Sequence, residues 1–97
     1  MLIPNINKQV LTDIKEGSVP IFDLVFCAYY GSVKCFLSDL LKSDEEAEQL
    51  AQEAFVRLWN TKHRIDTDSN TAVVLFEVAY DIFKEWTNDF SELRSDA

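Results

Sequence analysis

The stretch Ser43-Asp-Glu-Glu-Ala-Glu-Gln-Leu-Ala-Gln-Glu-Ala-Phe-Val-Arg-Leu-Trp59 decides the architecture. It opens with a capping box, in which the Ser43 hydroxyl can accept from the Glu46 N–H while the Glu46 carboxylate reaches back to the Ser43 N–H. Behind that start, Ala47, Leu50, Ala51, Ala54, Phe55 and Leu58 recur at spacings of three and four, the period of one helix face. Glu45, Glu48, Gln49, Gln52 and Glu53 fall on outer or flanking positions. The pattern predicts a helix with one side in a core, closed by Trp59.

Upstream, a short helix is expected over about Asn7 to Glu16, with Val10, Leu11 and Ile14 on one face and Gly17 as the left-handed residue that ends it. Ser18 then caps a long second helix with Pro20 in its first turn, where a missing N–H costs nothing. Phe22, Phe26, Tyr29, Val33, Phe36 and Leu40 read as its buried seam. Downstream, the apolar period vanishes between Asn60 and Asp68 apart from Ile65, which predicts a polar loop carrying Lys62, His63 and Arg64. A fourth helix is expected from near Ser69, burying Ala72, Leu75, Phe76, Ala79, Ile82, Phe83 and Trp86, with residues 91–97 as a frayed tail. The two glycines and two prolines read as helix ends and do not chop the chain into strands. The expected class is all-α: a compact four-helix domain.

At 97 residues and 47% hydrophobic side chains, the chain closes one core, so residues 1–97 are read as a single domain without metal or disulfide support. Its formal charge of -8 has the wrong sign for a broad phosphate-gripping face, so any nucleic-acid contact has to be local. Cys27 and Cys35 stand eight apart on the second helix, about 12 Å by helical rise, too far to bond within one chain. They read as buried thiols, with redox sensing as the lesser alternative. There is no signal peptide and no apolar run of 18 or more residues, so a cytoplasmic location without membrane insertion is expected.

Enzyme chemistry needs a nucleophile with a base, an acid–base pair or a metal shell, and the chain offers one histidine, His63, in a polar loop. No catalytic residue, metal site or cofactor is therefore assigned. The acids Asp44, Glu45, Glu46 and Glu48 sit around a helix start, where the helix dipole favours negative charge.

The quoted stretch resembles the second conserved region of extracytoplasmic-function sigma factors of bacterial RNA polymerase, in which an acidic start leads to Gln-Glu, an aromatic and Leu-Trp; here these are Gln52-Glu53, Phe55 and Leu58-Trp59. Ile14-Lys-Glu-Gly17, Phe22, Tyr29-Tyr30, Val33 and Phe36 are similar to the family's first two helices, and Ile65-Asp66 with Ser69-Asn70 to its loop. The resemblance covers about residues 8–86 and is similar in particular to the branch common in Bacteroidetes. It implies a sigma region 2 domain in which Gln49, Gln52, Glu53, Phe55 and Trp59 dock on the clamp helices of the largest polymerase subunit. It further implies that the loop, here Lys62, His63, Arg64 and Asn70, takes part in minus-ten promoter recognition and melting. An anti-sigma factor is a further partner that the family admits.

Two departures bear on that expectation. Where the family reads Phe-Arg-Ile-Ala-Arg-Asn, this chain has Phe76-Glu-Val-Ala-Tyr-Asp81, and from Glu77 to Ala97 six acids face two bases. Promoter DNA is thus a doubtful partner for this chain alone. The helix-turn-helix domain that normally follows does not occur within the 97 residues. Two rivals stay open: a sigma-like regulator that binds polymerase or an anti-sigma partner without DNA, and a helical interaction module with no polymerase role.

Overall fold

The computed structural model describes residues 6–95, with side chains from 7 to 88. Four helices follow in order: α1 (Ile6–Lys15), α2 (Val19–Leu41), α3 (Asp44–Asn60) and α4 (Thr71–Ser95), with a 3-10 turn at Lys62–Arg64 and no strand among the described residues. The all-α expectation holds. The bundle measures 60 × 24 × 23 Å, with α3 packed between α2 and α4 and α1 closing one end.

Local chemistry explains the boundaries. Gly17 adopts φ 91, and the Gly17 and Ser18 N–H groups turn back to the carbonyls of Ile14 and Asp13, both at 2.9 Å, satisfying orphan acceptors at the end of α1. Ser18 caps α2, accepting from the Ile21 N–H at 3.4 Å, with Pro20 in the first turn. Ser43 caps α3, accepting from the Glu46 N–H at 3.3 Å. Asp44, Glu45 and Glu46 in the first turn and Arg57 in the last complement the α3 dipole. Between α2 and α3, Lys42 takes the left-handed conformation at φ 58. Its side chain makes that turn dearer than glycine would.

The core lies along α3, where all six predicted positions are buried. Leu11 and Ile14 of α1, Val25, Val33 and Leu37 of α2, and Leu75, Ala79 and Ile82 of α4 meet them. Phe55 is the aromatic centre, with the Phe26 ring at 4.9 Å and the Phe22 and Tyr30 rings each at 6.3 Å. Ala47, Ala51 and Ala54 let the flanking backbones approach closely.

Several expectations shift. The α2 seam is displaced: Leu37 is fully buried while Leu40, near the helix end, is 39% exposed. Cys27 and Cys35 are both exposed free thiols, not buried ones, because they occupy the side of α2 turned away from α3. Gly31 interrupts nothing and sits in the middle of α2. The loop is more ordered than its polarity suggests, since the 3-10 turn carries Ile65 into the core at 6% exposure. α4 starts two residues later than expected, with the Asn70 side chain accepting from the Ala72 N–H at 2.8 Å. Its backbone stays helical to Ser95, through most of the expected frayed tail; residues 96 and 97 lie outside the described residues. Finally, α2 is by length and composition apolar enough to cross a membrane, with only 17% of its most apolar window buried.

Candidate functional site

The inner face of α3 is pinned by small and aromatic residues, so its outer face is presented on a rigid element. Gln49, Gln52 and Glu53 are all exposed there, spaced as neighbours along the helix. Val56, 58% exposed, continues the row beyond Gln52. Sequence periodicity had no use for it: an apolar residue on the wrong side of an amphipathic helix. Asn60, also exposed, ends the row, and a shallow groove lined by Glu53, Val56, Arg57, Asn60 and Thr61 runs beside it.

Phe55 does not belong to that surface. At 2% exposure it is core, and its position four residues after Ala51 and three before Leu58 puts it on their buried face. It supports the row from beneath. Trp59 is half-buried at the edge, its ring 5.0 Å from the Phe22 ring, with the Lys62 ammonium 4.3 Å above its centroid.

Arg57 ties this face to α4. Its guanidinium donates to both carboxylate oxygens of Glu85, the Nη2–Oε1 contact at 2.9 Å, and stands 3.9 Å from Glu53. Planar fork meets planar carboxylate, a geometry lysine cannot supply. The hydrogen bond from Arg57, assisted by its charge, holds the Glu85 carboxyl below its ordinary range; the same bond raises the Arg57 guanidinium. No sequence signal joins positions 28 apart on separate helices.

The loop candidates divide. His63 and Arg64 are exposed on the 3-10 turn. Lys62 is half-buried and engaged, donating to the Trp59 carbonyl at 3.2 Å while resting over that ring. Asn70 spends its side-chain oxygen on the cap of α4. Arg64 faces an open groove of about 570 Å³ between the 3-10 turn and α4, shared with Arg57, Thr61, Asp81, Lys84 and Glu85. Three cations thus face two acids, and Arg57 and Lys84 are already paired, the latter to Asp81 at 3.4 Å. Glu77 is exposed on the same helix. Tyr80 is 46% exposed, with its ring 6.1 Å from Phe83 and the Lys84 ammonium 5.2 Å away. An exposed ring beside an ammonium is a stacking platform of modest size.

Residues 25–74 match the Sigma-70 region 2 family, a span that takes in most of α2, all of α3, the 3-10 turn and the start of α4. The chain belongs to that family. No curated protein and no solved structure matches the chain. Sigma region 2 is not an enzyme family; membership brings a sigma-factor-like role in transcription initiation and binding to core RNA polymerase. Sigma domains of this kind are typically soluble and cytoplasmic, and in this sigma domain the apolar character of α2 is met in part by its seam against α3. No cluster of metal-ligating side chains occurs among the described residues.

Proposed function

We propose that this sigma region 2 domain, of the extracytoplasmic-function type, docks the outer face of α3 on the clamp helices of the largest polymerase subunit. The observation that carries the reading is the exposed row Gln49, Gln52, Glu53 on α3, whose opposite face is buried in the core. A fixed set of amide and carboxylate groups can pair with arginines on a rigid partner helix, which sets orientation as well as attraction. Trp59 contributes at the edge of that contact, and Phe55 acts from below by holding the helix in place.

In the intact protein the domain contributes to minus-ten promoter recognition and melting, through Arg64 and His63 more than through Lys62 or Asn70, whose side chains serve the fold. A sigma-like regulator that occupies polymerase or an anti-sigma partner without DNA is the second reading, favoured by the exposed Glu77 and Asp81 on α4. The first experiment is binding to an isolated clamp-helix coiled coil, comparing wild type with Gln52→Ala plus Glu53→Ala. Binding that falls at least about tenfold, about 1.4 kcal/mol, in the double variant supports the docking reading. A folded wild type that fails to bind removes it. Competition by a nontemplate minus-ten strand then separates the two readings.

A further inference from the structure

The outer side of α2 has no role in the docking reading. It exposes Leu24 (66%), Cys27, Ala28, Gly31 and Cys35 along one line of the helix. A Cβ added at Gly31 would meet nothing within 4 Å. The spacing is symmetric: Cys27 stands four residues before Gly31 and Cys35 four after. In a helix of about 3.6 residues per turn, both thiols lie within roughly 40° of the line through Gly31, one about 6 Å above it and the other about 6 Å below.

We infer that this face receives a second copy of the same chain, antiparallel and centred on Gly31, and that the pair is locked by disulfides between Cys27 of each copy and Cys35 of the other. A two-fold axis beside Gly31 carries each position to the one equally far on its other side, so the two unlike cysteines come to the same height. At an interaxial separation of about 8 Å, which the short side chains of Gly31, Ala28 and Ser38 permit, their Cα atoms approach to roughly 5 Å. A disulfide takes roughly 4.4–6.8 Å. Like cysteines would stand about 12 Å apart along the axis and cannot bond.

The thiol geometry selects a second copy as the occupant, and charge permits it. The chain carries a net charge of -8, yet between Leu24 and Ser38 the only charged residue is Lys34. Two copies of this net charge repel overall, and this nearly neutral stripe adds least to the repulsion. Its length, about 21 Å from Leu24 to Ser38, gives a contact well below the roughly 800 Å² per partner of a stable complex. Association without the disulfides is therefore weak, and oxidation makes the dimer. A hydroperoxide is the oxidant class: one thiol attacks the O–O bond, giving a sulfenic acid and releasing water or an alcohol. The facing thiol of the second copy displaces the sulfenic oxygen as water and forms the S–S bond. Each bond removes two thiol hydrogens and two electrons and reduces one peroxide.

The test treats the purified chain with hydrogen peroxide and reads non-reducing electrophoresis and intact mass. Wild type is expected to give a covalent dimer four hydrogens lighter than two monomers, reversed by dithiothreitol. Cys27→Ser and Cys35→Ser alone should each lose at least about tenfold in dimer yield, whereas their mixture should form a heterodimer with a single disulfide. Circular dichroism establishes that each variant is folded; Cys27→Ala and Cys35→Ala substitute if a serine disturbs the helix. Single variants that dimerise as readily as wild type, or a mixture that forms no heterodimer, overturn the proposal. So does a wild type that stays monomeric while its thiols oxidise, the outcome expected if the face serves a different protein.

Discussion

Arg57 on α3 grips Glu85 on α4 through both carboxylate oxygens. The pair crosses from α3, the helix proposed to dock on polymerase, to the acidic α4, and so ties the two helices together. It also neutralises one of the six acids counted from Glu77 to Ala97.

Because the hydrogen bond from Arg57 holds the Glu85 carboxyl below its ordinary value of 4.5, the stabilisation is present above that value. It is lost as pH falls through the depressed folded value. Thermal melts of wild type and Glu85→Gln should therefore differ by a constant interval at neutral pH, and the interval should shrink as pH falls below 4.5 and close below the depressed folded value. A gap that persists into acid would mean that Glu85 stabilises by packing.

Phe55→Ala removes the ring on which Phe22, Phe26 and Tyr30 converge. The expected loss is about 3–5 kcal/mol in urea unfolding, a large part of the roughly 5–15 kcal/mol of a small domain. Leu37→Ala, at a position fully buried in α2, should lose about 2–5 kcal/mol.

Two turn residues should respond in opposite directions. Gly17→Ala places a side chain at φ 91 and is expected to destabilise by roughly 1–2 kcal/mol. Lys42→Gly relieves φ 58 and should stabilise by up to about 1 kcal/mol, read as a shifted urea midpoint with unchanged slope.

Val56→Asp tests whether the docking row extends past Gln52. Val56 is exposed, so the fold should melt as wild type does, while affinity for the clamp-helix coiled coil falls more than about tenfold. Unchanged affinity would end the row at Glu53.

For nucleic acid, binding of a nontemplate minus-ten strand should be weak and depend shallowly on salt. Arg64→Ala should reduce the slope of log K against log salt by roughly 0.7, the value of one single-strand phosphate contact. Glu77→Gln with Asp81→Asn should strengthen binding by removing exposed acids from α4. No gain would mean that the strand does not pass that face.

The fold was legible where one periodicity met one boundary signal. In α3 the Ser43 cap and all six inner positions stand as read. In α2 the long apolar stretch contains more hydrophobic residues than one face can bury, so periodicity alone could not tell Leu37 from Leu40 or tell that the cysteines face out. The docking candidates Gln49, Gln52 and Glu53 were legible as polar residues on a patterned helix, whereas Phe55 was taken with them from the motif and belongs to the core. Lys62 and Asn70 have structural work that only three-dimensional neighbours reveal: a tryptophan ring for one, a helix end for the other.

One contact has a consequence for synthesis. The Asn7 side chain accepts the Thr71 N–H at 3.1 Å across 64 residues, and Lys15 donates to the Ile65 carbonyl at 3.2 Å across 50. During synthesis α1 thus waits for the start of α4, and the bundle cannot finish until α4 has emerged. Until then the apolar side of α2 lacks the part of its cover that α4 supplies, the kind of exposed surface on which unfinished chains aggregate.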